Sequence, residues 1–522
     1  MTHKHKEEGN IKNNIMIKGK ASVEATKEFS SKFPEIKYKT FGRTGYTVSS
    51  CGFGCYRVDY RVQEHFTAME YAISKGINLI DTSANYADGG SEILIGNVLA
   101  DLINKGSINR DEIVIVSKGG YIQGKNYEHA KKLKDEGKGY KQVTEYAENL
   151  WHSIHPDFLK DQITNALDRM KLETIDVYLL HNPEYFLDSP AAKDLILEEL
   201  RHEYYNRIKK AFEFLEEEVK AGRISYYGIS SNSFGKPTDD QVFTSLENCY
   251  NAADKTSGES HFAVIQFPFN LMEKGAVTNL NQRGETITLL DFAKEHGFGT
   301  MVNRPLNAIS ENGLKRLADF KVNPDHTKME EAQIVAEIGL LESMEEEFVK
   351  EYMPVLNLSK EINDNIQAFL KAGIMLRENW KNFGSIENFN DVKKRFLIPR
   401  VNSAFSTISF SANATPEMKT KLDKIAVQIN KLTGIIESIY GLMANIKSQE
   451  IHNELNSLVD NENFQKLTLS GKALVMLSSL DEISCVLVGM RQNAYVDDVI
   501  GSMKADKIED ADEVWRKMNN LK

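Results

Sequence analysis

The chain has 522 residues, 41% hydrophobic and 27% charged, with a formal net charge of -11 at pH 7. That acidic balance argues against a general nucleic-acid binder, which carries a basic face, and no apolar run reaches the roughly 20 residues needed to span a bilayer. Four cysteines, Cys51, Cys55, Cys249 and Cys485, are too few and too scattered for a disulfide framework. They read as packed thiols, with metal or redox chemistry at Cys51 and Cys55 as the lesser alternative, and the expected compartment is a reducing cytoplasm.

Residues 1–36 are polar and Lys-rich, include Glu7 and Glu8, and lack an apolar core segment. This predicts a solvated tail rather than a signal or transit peptide. Beyond it, strand-like apolar runs at 48–54, 77–82, 112–118, 175–181, 225–231, 262–268, 298–304 and 484–489 alternate with helix-like stretches. The clearest of those are 65–75, 91–104, 157–171, 206–222 and 286–296. Alternation of this kind calls for parallel pairing through crossovers. A closed (β/α)8 TIM barrel is the natural α/β solution, with chemistry at the carboxyl ends of its strands. The barrel takes residues 37–320 and 465–522.

Two segments exceed that plan. Between Lys118 and Pro156 lies a long polar loop ending in Trp151-His-Ser-Ile-His155, placed to overhang the active face. Residues 321–464 form an all-helical insertion between the seventh strand and the seventh helix. There Leu422, Ile425, Ile429, Leu432, Ile436, Ile439, Met443 and Ile446 recur in steps of three and four, a heptad stripe. Thr415-Pro416 supplies a capping hydroxyl and a first-turn proline to start it. Ile334, Ile338, Leu341 and Phe348 mark a second helix, and Ile366, Phe369, Leu370 and Ile374 a third. The expectation is a small antiparallel bundle. It would act as cover for the barrel, as a lid or cofactor clamp, or as a surface for a protein partner or self-association.

The chemistry concentrates at three strand ends. Asp81 follows the apolar run from Ile77 to Ile80, and Tyr86 comes five residues later; Lys118 ends the run Ile113-Val-Ile-Val-Ser, and His181 ends Asp176-Val-Tyr-Leu-Leu. A carbonyl accepting hydride needs a proton donor near its oxygen. Tyrosine, with an ordinary pKa near 10, is a reluctant one. A lysine ammonium beside it stabilises the phenolate and lowers that pKa. An aspartate holds the lysine, and a histidine orients and polarises the carbonyl. Singly, each residue has an ordinary reading as a cap, a structural donor or a solvated charge. Together they form a proton-transfer set. There is no His-Glu-x-x-His or Cys-x-x-Cys, so no metal is expected; His152 and His155 make a poor ligand pair, and contact with a substrate from their loop is the lesser reading for them.

The order Asp81, Tyr86, Lys118, His181 resembles the catalytic tetrad of the aldo-keto reductases. Phe41-Gly-Arg-Thr-Gly45, Gly76-Ile-Asn-Leu-Ile-Asp81, Ser91-Glu-Ile-Leu-Ile-Gly96 and Gly228-Ile-Ser-Ser-Asn232 are similar to that family's flanking elements. The resemblance runs from about Tyr38 to Asp319 and again from about Leu467 to Ile500. It implies hydride transfer between a nicotinamide dinucleotide and a small carbonyl or alcohol, with Tyr86 as general acid/base; the charge and hydropathy above leave no nucleic-acid or membrane partner expected. No Gly-x-Gly-x-x-Gly follows a strand, so a Rossmann site is not indicated.

The same resemblance assigns Ser230, Ser231 and Gln266 to the carboxamide edge. It assigns Gly489, Met490 and Arg491 to the adenosine-phosphate loop, where Arg491 either grips a 2′-phosphate or makes a surface ion pair. NADP(H) is the expected cofactor, with NAD(H) as the alternative. Three positions depart from the family pattern. The seventh strand reads Asn303-Arg304-Pro305-Leu306, so Asn303 stands where an aromatic usually stacks on nicotinamide, and Arg304 is left for pyrophosphate or for an acidic group of the bundle. Strand five reads Ser230-Ser231-Asn232, and Val499 replaces an adenine-contacting asparagine. These departures and the heptad stripe motivate a second reading, a cofactor-sensing interaction protein that binds a partner through 321–464.

Overall fold

The computed structural model describes residues 16–190, 192, 195–257, 260–310 and 313–518. The chain divides into two compact units, one of Met1–Leu317 with Glu454–Lys522, the other Ala318–Asn453.

The first unit is a closed barrel of eight parallel strands: Cys51–Gly54, Leu79–Asp81, Val114–Gly119, Ile175–His181, Ile224–Ser230, Phe262–Pro268, Gly299–Asn303 and Cys485–Val488. Each strand pairs with the next in the chain, and the eighth returns to the first through Val486 and Cys51. Helices Gln63–Ser74, Gly90–Asn104, Pro156–Met170, Leu197–Lys220, Leu246–Ser257, Leu289–Glu295 and Leu469–Ser478 link successive strands. The reading 48–54 merges two strands: Thr47–Ser49 pairs antiparallel with Tyr38–Thr40 in a hairpin, and the barrel begins at Cys51. The hairpin closes the end where the strands start. Phe41, Tyr46 and Val48 join the barrel's inner core, and Gly42, at φ 52°, lies against the backbone of 297–299 where a Cβ would collide.

Alternation along each strand decides what the interior becomes. Leu79, Val114, Val116, Val177, Leu179, Val264 and Met301 all belong to one buried cluster. The period of two then puts Asp81, Lys118, His181, Gln266 and Asn303 on the same inward face, one step nearer the carboxyl ends. Apolar layers fill the barrel from below, and its top layer is polar.

Two expectations are corrected in this unit. Residues 16–36 are not a solvated tail: Ile17 N donates to Lys171 O (2.7 Å) and Ala21 N to Asp176 Oδ1 (2.6 Å), and helix Val23–Ser31 buries Phe29. Sparse apolar residues, Ala21, Phe29 and Ile36, are buried along it beside these hydrogen bonds. The remainder of the tail, 1–15, lies outside the described residues. Nor is 119–155 a plain loop. It folds as helix Gly124–Asp135 and a three-stranded antiparallel sheet of Tyr121–Ile122, Thr144–Ala147 and Leu150–His152, around Ile122, Tyr127 and Trp151. A further hairpin, Asn307–Ser310 with Gly313–Arg316, follows the seventh strand.

Every regular element of the second unit is helical, including Glu331–Leu356, Lys360–Phe369, Ala372–Asn379, Ile398–Ser409 and the long Pro416–Leu458, which runs past the unit's last residue. Leu422, Ile425, Ile429, Leu432 and Ile436 are buried with Ile334, Ile338, Leu341 and Phe348 in one core. Ile435 and Tyr440 are buried too, so the apolar face is wider than a coiled-coil seam. The stripe then runs out: Met443 and Ile446 are 50% and 64% exposed. The expected third helix breaks after Phe369. Ile374 falls on the next helix and is exposed, while the buried Glu345 carboxylate accepts Ala372 N and Gly373 N, both at 3.0 Å, and so starts that helix. The chain rejoins the barrel unit at Glu454 rather than after 464. There Leu455 and Phe464 are buried, and Lys472 Nζ donates to Asn456 Oδ1 (2.7 Å). Among the described residues, no helix is long and apolar enough to cross a membrane.

Candidate active site

The centre of the barrel mouth is a buried ion pair. Lys118 Nζ donates to Asp81 Oδ2 at 2.7 Å and to Thr82 O at 2.8 Å, and Lys118 is 0% exposed. Gln266 Nε2 donates to the other carboxylate oxygen at 2.9 Å, and Ser230 Oγ donates to Gln266 Oε1 at 2.9 Å. Burial pulls the Lys118 pKa down and pushes that of Asp81 up, and each charge is the other's main counterweight. Removing one partner of such a pair costs roughly 3–5 kcal/mol, because the other charge stays buried.

Tyr86 sits over this pair, its ring centroid 5.0 Å from Lys118 Nζ. It opens a tight turn in which Ala87 and Asp88 are both left-handed, at φ 50° and 55°. Such backbone costs on the order of 1–3 kcal/mol per residue. The turn is anchored by Ser91 Oγ, which donates to Tyr86 O (3.3 Å), and by Asp88 Oδ1, which accepts Lys125 N (3.1 Å). The expected lowering of the tyrosine pKa is not found. Burial first, then the Asp81 carboxylate, pushes Tyr86 well above the ordinary phenol value. The lysine charge is largely spent on Asp81, so the resting phenol keeps its proton.

His181 faces Tyr86 with ring centroids 6.0 Å apart and 83° between planes. Ser83 Oγ lies 2.9 Å from its Nδ1. His152 Nε2–H donates to its carbonyl at 2.7 Å, and Tyr121 packs edge-on at 4.7 Å. Burial, then Lys118 and His152, hold the His181 pKa well below the ordinary imidazole value, so the ring is neutral. Ser83, Tyr121 and the structural use of His152 were missed from the sequence. Ser83 lies inside a motif whose signal is at its two ends, and the other two lie on the small antiparallel sheet after Lys118. Tyr56, 5.5 Å from the Tyr86 ring, was also missed, and it is 63% exposed at the end of the first strand.

The expected cofactor residues divide. Ser230 and Gln266 join the ion pair, and Asn303 Nδ2 reaches Gln266 Oε1 at 3.4 Å. Ser231 does not join them: the strand's alternation turns it outward, where its Oγ meets Ser233 Oγ (3.0 Å) and Thr244 Oγ1 (3.3 Å). Arg304, at φ 53°, donates to Glu273 Oε1 at 2.8 Å, on the loop after the sixth strand. Its acidic partner therefore belongs to the barrel. Asn303 Oδ1 and Arg304 Nε are buried and lack hydrogen-bond partners among the described residues. Pro305 is buried, and Leu306 accepts Leu317 N (2.9 Å) at the base of the hairpin. Gly489 is exposed, Met490 is buried, and Arg491 is partly buried. The Arg491 pKa is lowered by burial and by the nearby charges of Arg57 and Arg316. Val499 packs into the core of its helix, while Asp497 and Asp498 accept from Tyr71 and Ser470.

The aldo/keto reductase family model matches residues 52–371, more than half of the chain. An NADH-specific methylglyoxal reductase of Escherichia coli is 26% identical over 180 residues, 32% of this chain and 49% of that protein. An NAD(P)H-dependent D-xylose reductase of Scheffersomyces stipitis is 25% identical over 211 residues, 38% of this chain and 52% of that protein. The chain thus spans about half the length of the curated relatives it matches. An aldo-keto reductase from Bacillus halodurans aligns over 92% of this chain and 96% of its own, at 15% identity and a TM-score of 0.45. With a family model covering most of the barrel, the chain belongs to the aldo/keto reductase family.

Proposed function

We propose that this protein is an NADP(H)-dependent oxidoreductase that interconverts a small carbonyl compound and its alcohol. The observation that carries the reading is the buried Lys118–Asp81 pair beneath Tyr86, with His181 across from it. The dinucleotide would supply hydride. In the reducing direction Tyr86 holds a proton that it gives to the carbonyl oxygen as charge develops there. Lys118 stabilises the phenolate left behind, Asp81 keeps Lys118 charged and in place, and His181 polarises the carbonyl. A positioned general acid is worth roughly 10²–10⁴ in rate.

The residues present fit the cofactor. The orphaned Asn303 Oδ1 suits the N–H of a carboxamide, beside Gln266 and Ser230. The orphaned Arg304 Nε suits a phosphate oxygen, and an anion beside Arg491 would offset the opposing charges of Arg57 and Arg316. That cationic group supports NADP(H) over NAD(H). Fluorescence titration with NADPH and NADH tests it: tight NADPH and weak NADH binding is expected, and binding of neither would sink the proposal.

A second reading rests on Leu442, Met443 and Ile446, which are exposed at the end of the heptad stripe. They support a protein-binding or self-associating role for the helical unit. Sedimentation of the full chain with Met443 and Ile446 changed to Ser tests it, because a role in self-association requires the sedimentation coefficient to fall.

A further inference from the structure

Ser83 is 1% exposed, and its Oγ lies 2.7 Å from Asn85 Oδ1, 2.9 Å from His181 Nδ1 and 3.4 Å from Lys118 O. A hydroxyl has one proton to give to these three. Behind it, the Asn85 amide meets the Gln123 amide at 3.2 Å. Gln123, Asn85, Ser83 and His181 therefore form a hydrogen-bonded chain that can run in either direction, since an amide turned over exchanges its donor for its acceptor. In one direction, the one in which the two amides stand here, Ser83 gives its proton to Asn85 Oδ1, Asn85 Nδ2 donates to Gln123 Oε1, and His181 carries its own proton on Nδ1. In the other, the Asn85 amide donates to Ser83, Ser83 donates to Nδ1, and the imidazole proton sits on Nε2.

The ring itself has little choice. Tyr121 meets it edge-on at 4.7 Å, Tyr86 stands at 6.0 Å, and His152 holds the His181 carbonyl at 2.7 Å. Behind that carbonyl a Cβ on Gly120 would clash, so the local backbone is tightly packed as well. With the ring fixed and neutral, proton placement is the remaining variable. A bare Nε2 would set one lone pair against those of a carbonyl oxygen, whereas an Nε2–H would add a second donor to that of Tyr86.

We propose that Ser83, backed by Asn85 and Gln123, is a positioning residue that places the single imidazole proton of His181 on Nε2. The choice of Nε2 rests on the reductase reading, whose carbonyl oxygen it would meet; the contact of Ser83 with Nδ1 does not. Ser83 acts through the histidine and touches no substrate. The segment from Asp81 to Tyr86 would thus act through its middle as well as its two ends, because Ser83 contacts the His181 ring.

Long-range ¹H–¹⁵N correlation spectra of the full chain, labelled at histidine, test this, with His181→Gln identifying the resonance. The wild type is expected to show one neutral Nε2–H form near neutral pH. Ser83→Ala should move it toward Nδ1–H or a mixture, and Ser83→Thr, which keeps the hydroxyl, should restore it. Asn85→Asp provides a second arm at a partly exposed position. A carboxylate only accepts, so it draws the Ser83 proton away and should likewise shift His181 from the neutral Nε2–H form. In turnover of an aromatic aldehyde with NADPH, Ser83→Ala should lower kcat about tenfold with cofactor affinity unchanged. An Nδ1–H form in the wild type, or a tautomer unmoved by both variants, overturns the proposal. A wild type that shows Nε2–H, responds to Ser83→Ala and reduces no carbonyl overturns the reductase reading alone.

Discussion

The barrel unit and the helical unit are built on equally clear apolar periodicities, yet only one of them reveals chemistry. In the barrel, the period of two carries Val177 and Leu179 into the core and then delivers His181; the third strand does the same from Val114 and Val116 to Lys118. In the helical unit, the stripe from Leu422 to Ile436 is apolar throughout and ends in exposed Met443 and Ile446. A regular pattern announces a core. A polar residue kept at an inward position announces a site, because its desolvation must be offset by partners.

Substitutions break that comparison to different extents. The largest effect is expected at Lys118. Lys118→Met should abolish proton-coupled turnover and destabilise the barrel by roughly 3–5 kcal/mol in urea unfolding, since Asp81 is left buried and unpaired. Retained turnover would show that the ion pair is structural only. Leu432→Ala, at a fully buried position of the helical core, should cost about 2–5 kcal/mol in that unit's stability and leave NADPH affinity unchanged. A coupled loss of affinity would join the two units functionally.

His152 offers a pH test. Burial lowers its pKa to about 4, below the unfolded value near 6.5, so the unfolded chain binds the proton first on acidification. Stability is present in full above pH 6.5 and is lost as pH falls toward 4, by up to about 3 kcal/mol from this group. His152→Gln should flatten that part of the stability profile. Arg491→Ala should weaken NADPH binding about tenfold, or 1.4 kcal/mol, and leave NADH binding nearly unchanged. Equal weakening of both would place Arg491 away from a 2′-phosphate. The smallest effect belongs to Ile446→Ala, which should stay within about 0.5 kcal/mol if that end of the stripe faces only water.

Much of the fold is legible because each barrel strand is a short apolar run ended by a polar residue, and the alternation with helices leaves few closures. What is less legible depends on few residues or on contacts distant in sequence. Three apolar side chains lie buried along residues 16–36, and the small sheet after Lys118 hides its core of Ile122, Tyr127 and Trp151 within Lys- and Gly-rich text. The placement of Asp81, Lys118 and His181 follows from strand ends. Ser231 could have been set aside by the same alternation that keeps Ser230. The partner of Arg304, the gathering of Arg57 and Arg316 near Arg491, and the Ser83 contact with His181 all depend on tertiary closure, which no spacing records.

The central claim is that Tyr86 is the proton donor for hydride transfer at this barrel mouth. Single-turnover oxidation of bound NADPH by an aromatic aldehyde, followed in the wild type and in Tyr86→Phe, tests it most directly. The account predicts rapid oxidation in the wild type and a rate roughly 10²–10⁴ lower in Tyr86→Phe, with NADPH affinity preserved. Equal rates in the two proteins would contradict it.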